Sequence, residues 1–184
     1  LKFNVTQNIL FFRITSDLIP FASHPICKFN WQDHFKEKFQ EIGSHIKKND
    51  IRISMHPDQF IVLNSPDNSI VSRCIAELNY HAQVLDLMGL DRSAKIQLHV
   101  GGVYNDKKKS IMRFINNYQK LDLSIKSRLV IENDHKSYCL KDCLYINKQI
   151  GIPVLYDVFH NSINNCGENI IDAFRQFSIT WKKQ

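Results

Sequence analysis

Five short apolar runs alternate with longer amphipathic stretches along the chain, and that alternation restricts the fold more than any other feature. The runs are residues 9–15 (ILFFRIT), 51–55 (IRISM), 95–100 (KIQLHV), 128–131 (RLVI) and 152–156 (IPVLY). Each is too short for a stable helix and rich in β-branched or aromatic residues, the pattern of a strand buried on both faces. A weaker sixth run starts at Ser178 (SITW). Between the runs lie helical stripes. Trp31, Phe35, Phe39, Ile42 and Ile46 make one; Val71, Ile75, Leu78, Ala82 and Leu85 make a second, with a cap expected at Asp67 or Asn68. Ile111, Ile115 and Tyr118 mark a third, Cys143, Ile146 and Ile150 a fourth, and Ile170, Ala173 and Phe177 a fifth. Gly151 and Pro153 fit the end of the fourth. Strand followed by helix, repeated, predicts an α/β fold with a parallel sheet and right-handed crossovers. An open doubly wound sheet and a barrel both satisfy this pattern. A closed eight-stranded barrel takes roughly 250 residues, so 184 residues predict a single domain, 1–184, with an incomplete barrel if it is a barrel.

Charge and cysteines narrow the function classes. The net charge of +6 suits a polyanion such as DNA, although a lysine-rich coding bias would also produce it. No apolar run is long enough to span a membrane, and no signal peptide opens the chain. Five cysteines, an odd number without a C-x-x-C pair, predict reduced thiols and a cytoplasmic, non-secreted protein.

The chemistry gathers where the strand-like runs end. The second run meets His56, the third His99, the fourth Glu132, and the fifth Asp157, with His160 three residues on. In barrels and doubly wound sheets, active sites form at the C-terminal strand ends. An ionisable group closing a buried strand needs a partner or a cation to offset desolvation. Two imidazoles and two carboxylates from neighbouring ends suit Zn²⁺ or Mn²⁺ better than Ca²⁺, and a bridging Glu132 suits a pair of cations acting on a phosphodiester. His34, His45 and His81 fall on helices and read as structural; His135, in the loop after Glu132, stays open. His24 lies beyond the first strand on the same rim, close to a phosphate or a water on one reading and an ordinary loop histidine on the other. Gln59 beside Phe60 suits a wedge into a base stack, while a core position for Phe60 is the commoner fate of such a residue.

Five segments, FRITSDLIPFASH, ISMHPDQFIVLNS, LHVGGVYNDK, VIENDHKSY and VLYDVFHN, in this order and spacing, resemble the UV damage endonuclease family across nearly the whole chain. The resemblance implies a TIM-barrel fold similar to that of endonuclease IV, of which this chain resembles about strands two to six of eight. It implies a cluster of up to three divalent cations, Mn²⁺ first and Zn²⁺ or Mg²⁺ as alternatives, and nicking of double-stranded DNA 5′ to ultraviolet photoproducts. It assigns His56, His99, Glu132, Asp157 and His160 as metal ligands. Glu132, His160 and His24 lie at the catalytic centre, and Gln59, Phe60 and Asn64 contact DNA. Lys107, Lys108 and Lys109 are placed to reach the DNA backbone, with a solvated charge run as the alternative. No membrane and no obligate protein partner are implied. The family usually has Tyr in place of Phe60 and often Asp in place of His135. Segments that complete the cluster in the family, including a Lys-x-His pair, another His and a final Glu, do not occur among these residues, which predicts weak or absent cleavage by residues 1–184 alone. Two rivals remain: a metal-dependent sugar isomerase or epimerase of similar barrel shape, and a non-catalytic DNA-binding remnant.

Overall fold

The computed structural model describes residues 1–181. In chain order its elements are α1 (Lys2–Thr6), β1 (Phe11–Ile14), α2 (Trp31–Lys48), β2 (Arg52–Met55), α3 (Asn68–Leu87), β3 (Lys95–His99) and α4 (Lys107–Gln119). There follow α5 (Leu123–Lys126), β4 (Leu129–Glu132), α6 (Leu140–Ile150), β5 (Val154–Leu155), α7 (Val158–Ile163) and α8 (Ile170–Ile179). All five strands pair in parallel, in the order β1-β2-β3-β4-β5. A doubly wound sheet reverses its strand order at a switch point, whereas a barrel wall adds each strand beside the last. The unbroken order therefore decides between the two architectures left open by the sequence: this is part of a barrel wall with helices outside.

Alternation along each strand sorts the side chains. Ile53 and Met55 on β2, Ile96 and Leu98 on β3, and Leu129 and Ile131 on β4 join one buried cluster with Phe39, Ile46, Leu78, Leu85, Phe114, Ile115 and Ile146 from the helices. Each such side chain contributes about 1.5–3 kcal/mol on burial. The intervening positions are polar on β2 (Arg52 and Ser54) and β3 (Lys95, Gln97 and His99), and on β4 they are the buried Val130 and then Glu132. The helix ends behave as their residue types demand. Asn30 caps α2 by accepting from the Asp33 N–H, Asp67 caps α3 through the Ser69 N–H, and Gly151 closes α6 at φ 72°. Gly43 is required where α2 meets α3, since a Cβ there would lie 1.7 Å from the Met88 carbonyl oxygen.

Two expectations are corrected. Ser178 and Ile179 do not begin a sixth strand; they end α8. The edge of β5 is instead capped by side chains. Thr180 Oγ1 accepts from the Val154 N–H (3.0 Å) and Trp181 Nε1 donates to the Val154 carbonyl (2.8 Å), so backbone groups of this short edge strand are satisfied without a neighbour strand. The thiols are not all reduced: Cys139 and Cys166 form a disulfide, their Cα atoms 6.1 Å apart, while Cys27, Cys74 and Cys143 are free. Sequence spacing hid the pair because the fold itself joins the start of α6 to the loop before α8. Among the described residues, no helix is long and apolar enough to cross a membrane.

Candidate metal centre

The parallel register sets His99 directly beside Glu132. His56 follows the end of β2 and Asp157 follows β5, so four adjacent strand ends deliver four ionisable side chains to one rim. Asp157 also caps α7, accepting from the His160 N–H at 2.7 Å. That single turn brings the His160 ring back over the sheet end. Two groups result. Ligand atoms of His56, His99 and Glu132 lie within 4.8 Å of one another, and so do those of Glu132, Asp157 and His160. Glu132 belongs to both. The structure thus brings together all five residues assigned as ligands.

Hydrogen bonds behind the rings fix which nitrogen is free. The His56 Nδ1 donates to the Pro57 carbonyl (2.7 Å) and the His160 Nδ1 donates to the Asn133 carbonyl (2.8 Å). Carbonyls only accept, so each neutral ring keeps its lone pair on Nε2. Asn133, which sequence reasoning passed over, locks the other side: its Oδ1 accepts from the Asp157 N–H (2.8 Å) and its Nδ2 donates to the Asp157 carbonyl (3.0 Å). A search for ionisable types alone misses an asparagine; its adjacency to Glu132 was the available signal.

Glu132 is only 4% exposed, and its Oε2 has no hydrogen-bond partner among the described residues. The nearest group able to carry positive charge is His56 Nε2 at 3.5 Å, a loose contact. Facing Glu132 raises the His56 pKa above the ordinary imidazole value, against the opposing effect of burial. Burial lowers that of His99, whose Nδ1 is likewise buried and unpartnered. An under-compensated carboxylate facing bare imidazole nitrogens is the donor set of a divalent transition-metal site. On this chemistry the residues fit such a cation.

The other assigned residues divide. Gln59 and Phe60 stand on the rim loop, and Phe60 is 74% exposed, so it is not a core residue. A groove of about 480 Å³ runs beside it, lined in part by Gln59, Ile61, Arg73 and Glu77. His24 is exposed on the loop between β1 and α2 and belongs to neither ligand group. Asn64 does not present itself to a duplex. It is fully buried, and its Nδ2 donates to the Gly102 carbonyl (2.7 Å) and to Tyr138 Oη (3.2 Å). Its Oδ1 crowds Gly101, where a Cβ would lie 2.4 Å away. Asn64 is a brace under the rim. Lys107 is half-buried, its ammonium pairing with Asp142 at 2.5 Å and lying over the Tyr138 ring. Lys108 is exposed, and Lys109 pairs with Asp106 at 3.4 Å.

Residues 1–184, the whole chain, match the family described as UV-endonuclease UvdE. The chain belongs to the UV-endonuclease UvdE family. It is 42% identical over 187 residues to a UV DNA damage endonuclease of Clostridium perfringens, covering all of this chain and 45% of that protein. It is 35% identical over 181 residues to the UV DNA damage endonuclease of Bacillus cereus (strain B4264), covering 98% and 57% respectively. The chain therefore spans about half the length of the curated relatives it matches. The crystal structure of SacUVDE superposes with a TM-score of 0.95 at 50% identity, over 98% of this chain and 62% of that one. That match confirms the TIM-barrel-like α/β wall. A D-psicose 3-epimerase from Clostridium cellulolyticum H10 superposes at 0.69 with 16% identity, which shows a shared fold alone.

Proposed function

We propose that the protein acts in DNA repair as an endonuclease that nicks duplex DNA 5′ to ultraviolet photoproducts. On this reading His56, His99, Glu132, Asp157 and His160 hold divalent cations, Mn²⁺ first and Zn²⁺ or Mg²⁺ as alternatives. One observation carries it: in a UvdE-family chain, two three-residue groups able to hold a cation share, at the C-terminal rim, the buried Glu132, whose Oε2 has no hydrogen-bond partner among the described residues. When bound, divalent cations at such a site supply Lewis-acid polarisation of a phosphodiester and hydroxide at neutral pH.

The chain's own residues do the rest. A net charge of +6 favours phosphate contact and makes association salt-dependent. The exposed Phe60 ring, with Gln59 beside it, enters the base stack. That entry costs least where a photoproduct has already weakened pairing, which selects the lesion. Phe60 wedges by apolar contact without a hydroxyl. Glu132 and His160 face the reacting phosphate, and His24, on the β1–α2 loop, is the third group assigned to the catalytic centre. Asn133 and the Pro57 carbonyl hold the ligands in orientation.

The test uses one preparation for three measurements: calorimetric titration with Mn²⁺, binding of irradiated duplex, and nicking of that duplex. Mn²⁺ uptake is expected, with nicking weak in residues 1–184 and absent in Glu132→Gln while duplex binding persists. Nicking unchanged in Glu132→Gln would sink the proposal. Duplex binding with no cation uptake would identify a non-catalytic DNA-binding protein, and cation uptake with no affinity for duplex would identify sugar chemistry.

A further inference from the structure

His135 belongs to neither ligand group, yet it extends their geometry. Ring centres run from His56 to His99 at 5.2 Å, from His99 to His160 at 5.3 Å and from His160 to His135 at 5.4 Å. The first three imidazoles are the ones gathered around Glu132. We propose that His135 is a further ligand, adding an imidazole to the cation position at His160 and setting which cation that position prefers. The proposal rests on the reading of the rim as a metal centre.

The placement of His135 is built into the backbone. Asp134 accepts hydrogen bonds from the N–H groups of Lys136, Ser137 and Tyr138, and its own N–H donates to the Tyr138 carbonyl at 2.8 Å. The residue before His135 and the three after it are thus wound around one carboxylate. The same loop is stitched to α7, the helix that carries His160. Asn164 Nδ2 donates to the Asp134 carbonyl (3.0 Å), the His160 ring donates to the Asn133 carbonyl (2.8 Å), and the Cys139–Cys166 disulfide closes the far end. His135 and His160 therefore sit on segments held to each other on both sides.

The chemistry of the pair follows. Two imidazole nitrogens on one cation, each at about 2.0–2.1 Å, lie no more than ~4.2 Å apart. Ring centres at 5.4 Å allow that approach. The Nδ1 of His160 is engaged, so its Nε2 is the donor. His135 is exposed, and its ring has no hydrogen-bond partner among the described residues, so side-chain rotation to meet a cation breaks no existing bond. Each imidazole added to a carboxylate site favours Zn²⁺ over Mn²⁺. With His135 the His160 position becomes nitrogen-rich, and its preference shifts accordingly.

The experiment is competitive calorimetry of the protein with Zn²⁺ and with Mn²⁺, for the wild type, His135→Ala, His135→Asp and, as a control in the same loop, Lys136→Ala. Thermal melts of the metal-free proteins establish that the fold is kept. His135→Ala is expected to weaken Zn²⁺ binding at the His160 position by about tenfold or more, with a smaller loss for Mn²⁺. His135→Asp is expected to recover Mn²⁺ but not Zn²⁺ affinity, because a carboxylate replaces the softer donor. Lys136→Ala leaves both unchanged. Equal affinities in the wild type and His135→Ala would overturn the proposal while leaving the five-ligand centre standing. So would losses that are the same for both cations or that are matched by Lys136→Ala. A wild-type protein that takes up neither cation would overturn the metal centre itself, and His135 with it.

Discussion

The two ends of β4 bury charge in opposite ways. Arg128 stands just before the strand and Glu132 closes it. Arg128 is 1% exposed and fully engaged. Its Nη2 and Nε reach Asp86 Oδ1 at 2.5 and 3.2 Å, and its guanidinium also donates to the carbonyls of Leu90, Asp91 and Ala94. Glu132, nearly as buried, has an orphaned oxygen and one loose imidazole contact. A buried charge with every donor satisfied is a fixed piece of architecture, here tying the α3–β3 connection to β4. A buried charge left short is held in reserve for something the fold itself does not contain. Burial alone does not separate the two; the count of satisfied atoms does.

The contrast breaks most visibly in a pair of substitutions. Arg128→Ala takes the donor from the carbonyls of Leu90, Asp91 and Ala94, while the exposed Asp86 keeps Arg92 at 3.2 Å; each buried polar group left unpaired costs about 1–3 kcal/mol. Urea unfolding of the metal-free protein should show that loss. Glu132→Gln removes an under-compensated charge, so in chelator it should unfold at the wild-type urea concentration or above it. The same substitution should abolish cation uptake. If Glu132→Gln destabilises the metal-free protein as much as Arg128→Ala does, the two ends are alike and Glu132 is architectural.

A smaller effect sharpens the functional end. Asn133→Ala removes both side-chain bonds to the Asp157 backbone but keeps the main-chain carbonyl that orients His160. Loss of such an orienting partner typically costs about 10–100-fold in metal affinity. Titration with Mn²⁺ should show that loss at the Asp157 and His160 position, with the His56 and His99 position retained.

Much of this was legible from residue order. Short β-branched runs, apolar stripes at helical spacing and the Asp67 and Gly151 caps all report local preferences, and the chain forms those elements where its local preferences place them. The five candidate ligand residues stood out for the same reason: the end of a buried strand is a local address, and parallel pairing carries neighbouring addresses to one rim. What could not be read were relationships between distant side chains. Thr180 and Trp181 look like strand until they are seen capping β5. Cys139 finds Cys166 through the fold rather than through spacing. Asn64 and Lys107 have polar chemistry suited to a duplex, and only the positions of Tyr138 and Asp142 reveal that this chemistry is already engaged. Barrel and doubly wound sheet share one local pattern, so only the strand order separates them.

The smallest effect probes the layer that joins the two ends to the rim. Tyr80 Oη accepts from the Ile19 N–H (2.9 Å) and so holds the β1–α2 loop; Tyr138 Oη donates to the Gly102 carbonyl (2.9 Å) and holds the β3–α4 loop. Burial pushes both phenols up to about 12. A folded-state pKa raised above the unfolded value of about 10 means that the stabilisation is complete below pH ~10 and is lost as the pH rises toward ~12. At about pH 11 each tyrosine has forfeited on the order of 1 kcal/mol. Alkaline urea titrations should therefore show a decline that Tyr80→Phe and Tyr138→Phe each reduce, with tyrosinate absorbance rising over the same window. Phenylalanine has no proton to lose, so it removes the pH dependence while also removing a loop contact. A rim that loosens at high pH in the wild type and is equally loose at every pH in the variants would place these two hydroxyls, rather than the apolar core, in control of how firmly the loops around the candidate metal centre are held.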